Sequence, residues 1–273
     1  MLPTSTPDSA RPILGDIRES ARLAEDLGLD SIWSTDHLVA SAPILDSTVV
    51  LSTAAAVTER ITIGFGVMVL ALRPVTWAAK QISTLQYVSG GRLVLGVGTG
   101  NPAHGDVGWR AAGVPYEGRG RRTDEALRLL PSLVAGEPTV LADGSTVTLA
   151  PGSSVPRIVV AGNGTSALRR AAEFGDGWAC ISLTPDEVAA NLVILDELAA
   201  RHGRKAPRAT VVAPVLDRDP HRAATQLAAY ADIGVERVII APSGPDWRQG
   251  YEHAATLRTA ADTSATLTFD GPS

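Results

Sequence analysis

ITIGFGVMVLALRPVTWAAKQISTLQYVSGGRLVLGVGTGN, residues 61–101, holds a strand, a helix and a second strand in succession. Ile61 to Leu70 is an apolar, β-branched run bounded by polar residues, so it reads as a buried strand. Pro74 stands at a plausible first helical position, and Val75, Ala78, Ile82 and Leu85 recur on one helical face. Ser89-Gly90-Gly91-Arg92 is a loop, after which Leu93 to Gly98 is again continuously apolar. Two apolar strands joined by a helix imply parallel pairing with a crossover, in a sheet covered on both faces.

The same alternation continues in both directions. Upstream lie a helix from Asp16 to Leu27 with Gly28 as its stop, a strand from Ser31 to His37, and a helix from Ser47 to Thr58. Downstream, residues 102–120 form a long connection, Arg122 to Leu133 is helical but for Pro131, and 135–155 is an extended segment punctuated by Gly and Pro. Strands at 156–161, 177–181, 209–215 and 237–241 follow, with helices at Ser166–Phe174, Thr184–His202, His221–Ile233 and Trp247–Arg258. Thr184-Pro185-Asp186-Glu187 is a helix start with a cap, a proline and two acids.

Seven strands in repeated βα units predict an α/β fold, a (β/α)8 TIM barrel with its first strand truncated or nearly absent. Only Met1-Leu2 precedes the first helix as strand material, whereas a strand takes about five residues. Leu2-Pro3 would then serve as a stub, leaving neighbouring strand edges short of partners. The 273 residues suit one barrel domain over 1–273, with no repeat or linker. A doubly wound sheet is the competing architecture, and the glycines of GVGTGN at 96–101 lack its GxGxxG spacing.

Hydrophobic residues make up 45% and charged residues 19%, which excludes disorder for the bulk of the chain. The formal net charge of −5 argues against nucleic acid as a partner. Lys80 and Lys205 are the only lysines, so arginines must supply any anion binding. No apolar run approaches the roughly 18–20 residues that span a bilayer, which argues against a membrane partner, and the N-terminus lacks the pattern of a signal peptide. Cys180 is the single cysteine, which excludes a disulfide framework or thiolate zinc site and suits a cytoplasmic location.

In a βα barrel the chemistry sits where strands end. Asp36-His37 is the sharpest such pair: a strand-end histidine is a candidate general acid/base, a hydrogen-bonded loop histidine being the alternative. No metal site is expected, because no second histidine lies at ligand spacing. Gly162-Asn163-Gly164-Thr165 enters a helix and suits either an anion or an ordinary capped turn. Gly64 and Gly66 inside a strand mark either packing around small residues or close approach of a ligand. Arg119, Arg121 and Arg122 read as a solvated helix start, Trp33, Trp77 and Trp178 as core, and Trp109 as a loop residue able to line a pocket.

Three stretches together resemble the bacterial luciferase-like family of flavin and deazaflavin oxidoreductases: AEDLGLDSIWSTDHL at 24–38, the whole of 61–101, and VVAGNGTSALRRAAEFGDGW at 159–178. GVPYEGRGRRTDEALRLL at 113–130 is similar to the helix after that family's active-site loop. The resemblance implies a barrel binding coenzyme F-420, or alternatively FMN, at the strand ends. His37 and Asp36 would lie beside the ring, backed by a bulge with a non-prolyl cis peptide at Gly66-Val67. Thr99, Gly100 and Asn101 would lie along the ring or its side chain, and Gly162, Asn163, Gly164 and Thr165 would cradle the phosphate. It further implies a small-molecule substrate, hydride transfer with F-420 or oxygen chemistry with FMN, and a homodimer. Asn101 departs from the glutamate that follows the matched Thr-Gly in deazaflavin sugar dehydrogenases, which argues against sugar-phosphate oxidation. Other classes to be weighed are a non-catalytic flavin binder and a metal-dependent barrel hydrolase.

Overall fold

The computed structural model describes residues 1–4, 15–40, 43–217, 219–241 and 246–267. In chain order its elements are α1 (Ile17–Asp26), β1 (Ser31–Ser34), α2 (Ser47–Ala55), β2 (Thr62–Met68), α3 (Val75–Val88), β3 (Leu93–Val97), α4 (Val107–Ala111) and α5 (Arg119–Ala135). There follow β4 (Thr139–Val140), β5 (Thr146–Val147), β6 (Arg157–Ala161), α6 (Thr165–Phe174), β7 (Gly177–Ile181), α7 (Pro185–Arg201), β8 (Arg208–Val212), α8 (Pro220–Asp232), β9 (Arg237–Ile239) and α9 (Trp247–Leu267). They fall into two compact units, Leu2–Arg22 with Ser31–Val159, and Met1, Leu23–Asp30 with Val160–Ser273.

In the first unit β1, β2 and β3 run parallel in that order, joined through α2 and α3. Ile32, Ile63, Phe65 and Leu95 are buried, as continuous apolar strands require when both faces are covered. Leu2 and Thr4 are buried, and the Leu2 N–H donates to the Trp33 carbonyl at 2.8 Å. The expected stub therefore does partner β1, although residues 1–4 form no strand of their own. Beneath the strands, Arg92 spends all five guanidinium N–H donors on Ser89, Thr58, Ile61 and Ala55, tying the end of α2 to the entrances of β2 and β3.

The glycines of β2 and β3 have separate reasons. A Cβ on Gly64 would lie 2.4 Å from the Trp33 ring, so packing explains that glycine. Pairing passes from Phe65–Leu95 to Met68–Val97, three steps on β2 against two on β3, so β2 bulges at Gly66-Val67. The Gly66–Val67 peptide is cis, at the position the family resemblance indicates. Gly96 faces the bulge: its Cβ would lie 2.1 Å from the Phe65 carbonyl oxygen, and one on Gly98 would lie 2.5 Å from a Val67 methyl.

In the second unit β7, β8 and β9 are parallel and in order, with Gly177 paired to Arg208 and Thr210 to Arg237. The start of α7 is a full capping box: Thr184 Oγ1 accepts from the Glu187 N–H, and Glu187 Oε2 accepts from the Thr184 N–H at 2.8 Å. Trp178 is wholly buried and donates its indole N–H to the Gly162 carbonyl at 2.8 Å. Cys180 is buried beside it in the strand, and burial pushes its thiol up to about 12, which leaves it inert as a nucleophile.

One expectation is sharpened and one needs correction. The extended segment 135–155 contains the antiparallel ribbon β4–β5. Trp77 is 65% exposed, because it lies on the outer face of α3 while Ala78 and Ile82 take the inner one. We expect Gly96→Ala to destabilise the protein by about 3 kcal/mol, since the atom it meets is backbone and cannot swing away. Urea unfolding measures this; a loss under about 1 kcal/mol would contradict the close β2–β3 approach.

Candidate active site

The carboxyl ends of β1, β2 and β3 carry the candidate site of the first unit. Beyond β1, Asp36 is buried and satisfied on both oxygens. Oδ1 accepts from Ser47 Oγ at 3.2 Å, and Oδ2 accepts from the Val69 N–H at 2.9 Å and from Arg73 Nη2 at 2.6 Å. Asp36 thus joins the end of β1, the first residue of α2 and the turn after β2. With its lone pairs so occupied, the carboxylate acts as an anchor, and His37 is left as the group available to a ligand.

His37 is half-buried and lines a small cavity with Asp36, Gly100, Asn101, His104 and Trp109. Its ring meets that of His104 edge to face, with centroids 4.9 Å apart. The His37 imidazole is held below its ordinary value of 6.5, first by burial and then by His104, while Asp36 pulls the other way. His37 is accordingly biased toward its neutral form, in which one nitrogen can accept a proton. Histidines 37 and 104 stand far apart in the chain, so sequence spacing gave no sign that the fold would bring them together. Among the described residues, no three His, Cys, Asp or Glu side chains cluster to hold a metal.

After β3, Gly100 has φ +82, and a Cβ there would lie 3.3 Å from the Trp109 ring. Asn101 caps the short turn that follows it, accepting from the Ala103 N–H at 3.0 Å. Thr99 is half-buried and, like Gly66 and Val67, is not among the residues lining the cavity. Trp109 does line it and is 5% exposed. Behind it, Arg122 lies over the indole at 5.7 Å and donates to the Pro115 and Glu117 carbonyls. Arg119 stacks on Tyr116 at 3.9 Å, and Tyr116 meets Trp109 edge to face. The solvated reading of this arginine cluster fits Arg121, which is 78% exposed and forms a loose pair with Glu125. It does not fit Arg119 or Arg122, whose aromatic partners lie outside the helix.

In the second unit, Gly162-Asn163-Gly164-Thr165 forms the turn from β6 into α6. Asn163 bridges to Ile181, donating through Nδ2 to its carbonyl and accepting its N–H at Oδ1, both at 2.9 Å. That amide is therefore committed to the end of β7. Gly164 is the N-cap of α6 and offers no side-chain cap, and a Cβ on it would meet nothing within 4 Å. The Thr165 and Ser166 N–H groups have no acceptor among the described residues, so the turn presents open donors at a helix N-terminus.

The chain belongs to the luciferase-like monooxygenase family, whose model matches residues 2–267. It is 32% identical over 235 residues to an F-420-dependent glucose-6-phosphate dehydrogenase of Intrasporangium calvum, covering 78% of this chain and 69% of that one. An uncharacterized protein of Mycobacterium tuberculosis is 33% identical over 171 residues, and the chain spans only 58% of that relative's length. Among solved structures, an F-420-dependent secondary alcohol dehydrogenase in complex with an F-420-acetone adduct matches 89% of this chain and 94% of its own, at 16% identity and a TM-score of 0.77. The fold is therefore that of the luciferase-like TIM barrels. No described helix is long and apolar enough to cross a membrane.

The His37 electrostatics are open to test. In an NMR titration its midpoint should fall below 6.5. His104→Ala should move that midpoint upward, because it removes a neighbour that lowers the His37 value and opens the site to water. A midpoint at or above 6.5, or one indifferent to His104, would refute the assignment. Because the folded value is depressed, the wild type should also lose stability relative to His37→Ala as pH falls below 6.5.

Proposed function

We propose that this chain is a coenzyme F-420-dependent oxidoreductase that transfers a hydride between a small organic substrate and the deazaflavin. The observation that carries this reading is His37. It is a half-buried imidazole, biased toward its neutral form, at the end of β1, on a wall anchored through Asp36 and lining a cavity rimmed by Gly100 and Asn101. The 32% identity to an F-420-dependent dehydrogenase supports it.

The residues present fit such a cofactor. Gly100, in a backbone conformation that side chains rarely adopt, and Asn101 would border the ring at the cavity rim. The open first turn of α6, with Gly164 and Thr165, suits a phosphate, by backbone donors rather than by the committed Asn163 amide. Bound coenzyme F-420 would supply a carbon that accepts or gives hydride. His37 would take the proton from a substrate hydroxyl as the hydride leaves, or return it in the reverse direction. Asp36 keeps the β1 end and the turn after β2 in register, while Leu38, Val39 and Leu72 border the cavity with apolar surface. Asn101 has no acidic function and is engaged in a cap, which disfavours the sugar-phosphate oxidation named for the Intrasporangium relative.

A small-molecule substrate, a cytoplasmic setting and a homodimer belong to the same reading, the second supported by Cys180 being the single cysteine. The second reading is an FMN-dependent monooxygenase, favoured by the family to which the chain belongs. Titration with each cofactor, followed by chromophore absorbance and fluorescence, separates them. We expect one coenzyme F-420 bound per chain and weak or no FMN binding. The opposite result transfers the chain to the oxygen-using class, and binding of neither makes it a non-catalytic member. In the loaded protein, His37→Ala should lower turnover about 100-fold with cofactor affinity little changed. Equal losses in both would remove its proton role.

A further inference from the structure

Trp109 is nineteen-twentieths buried, yet its indole N–H has no acceptor among the described residues. Buried tryptophans ordinarily find a partner for that group, as Trp33 does in Ser31 and Trp178 in the Gly162 carbonyl. The nitrogen is also not one of the fully sealed, unpartnered polar atoms among the described residues, which are Ser34 Oγ, Thr48 Oγ1, Gln81 Oε1, Arg119 Nε and Arg122 Nε. The small exposed part of the ring therefore includes the N–H. Its place is known: Trp109 lines the His37 cavity, and its Nε1 lies 3.7 Å from where a Gly100 Cβ would stand.

The ring has little freedom to turn away. Tyr116 meets it edge to face with centroids 5.9 Å apart, Arg122 covers it, and Val69 and Ala71 share its apolar cluster. Arg122 is itself fixed by two carbonyls of the preceding loop. A donor held this firmly at a cavity wall lowers the entropy cost of binding an acceptor there.

We infer that the Trp109 indole N–H is a ligand-binding donor, which accepts into the His37 cavity a small molecule presenting an uncharged carbonyl or hydroxyl oxygen. The inference deepens the oxidoreductase reading and rests on it for the chemistry of the ligand. Arg122 and Tyr116 are positioning residues for that donor. An acceptor oxygen can come from the cofactor or from the substrate, and the two sources separate in one experiment.

In the full chain labelled with 15N, the five tryptophans give five indole signals, and Trp109→Phe identifies the one concerned. Coenzyme F-420, FMN and propan-2-one are added singly, and propan-2-one is then added to the F-420 complex. We expect the Trp109 signal to move downfield when propan-2-one enters the complex, which assigns the substrate as acceptor. Movement with F-420 alone assigns the cofactor and likewise upholds the donor. A signal unmoved by every addition overturns the inference. If neither cofactor binds but the ketone still moves the signal, the oxidoreductase reading fails while the donor stands.

Removing only the donor tests it without disturbing the packing. Benzothienylalanine in place of Trp109 keeps the ring shape and loses the N–H. It should weaken binding of the responsible ligand by about three- to tenfold, the worth of one hydrogen bond. Its turnover at saturation should change less, because the proton-handling His37 is untouched. Unchanged affinity for all three probes in this variant also overturns the inference.

Discussion

The site depends on one buried carboxylate. Asp36 receives a hydroxyl from α2, a backbone N–H from the turn after β2 and a guanidinium from the approach to α3. Burying a carboxylate costs several kcal/mol unless its oxygens are supplied with donors, and here three donors from two other chain segments, the start of α2 and the connection from β2 to α3, supply them. Satisfying Asp36 therefore forces those segments into one arrangement. Val69 and Leu72 become wall residues of the same cavity that His37 faces. Arg73 pairs with Asp36 at 2.6 Å, and on His37 burial and His104 outweigh the opposing pull of Asp36.

The second constraint is steric and belongs to β2 and β3. The bulge adds one residue to β2, and the extra length has to be taken up where the strands still touch. Gly96 admits the Phe65 carbonyl and Gly98 admits a Val67 methyl, so both glycines of the LGVG run are explained by what faces them. Beyond the bulge, ladder pairing resumes at Met68 with Val97, and the Gly98 N–H donates to the Met68 carbonyl. The turn that starts there contains Val69, whose N–H reaches Asp36. Bulge and anchor are thus consecutive parts of one connection.

Much of this was legible in the residues. Apolar periodicity located β1, β2, β3, β6, β7, β8 and β9, because buried parallel strands and their crossover helices each carry a period of their own. The α7 start was readable from Thr184 and Glu187 because a capping box is local. Strand ends pointed to Asp36, His37, Gly100 and Asn101. What could not be read were contacts between distant segments. Nothing in local spacing pairs His37 with His104, or Asp36 with Arg73. Trp109 was legible as a pocket residue, but its arginine and tyrosine neighbours were not, because a helix-start arginine looks the same whether it meets water or an indole. Trp77 misled for the converse reason: a large aromatic is assumed to be buried, whereas a helix face is set by what packs on it.

The protonation of His37 also bears on the direction of the proposed reaction. Oxidising an alcohol releases a hydride and a proton together, and the proton needs a base that is free when the substrate arrives. An imidazole depressed by burial and by a second histidine meets that need at neutral pH. Reducing a ketone needs the opposite form, an imidazolium able to donate, and the same environment makes that form scarce. The depressed value that readies His37 as a base also makes its imidazolium a stronger acid, so the reverse reaction is limited by population rather than by donor strength. Falling pH raises that population, and burial together with the neighbouring His104 resists the rise. On the proposed chemistry, the burial of His37 beside His104 therefore moves to lower pH the point at which the site changes from accepting protons to giving them.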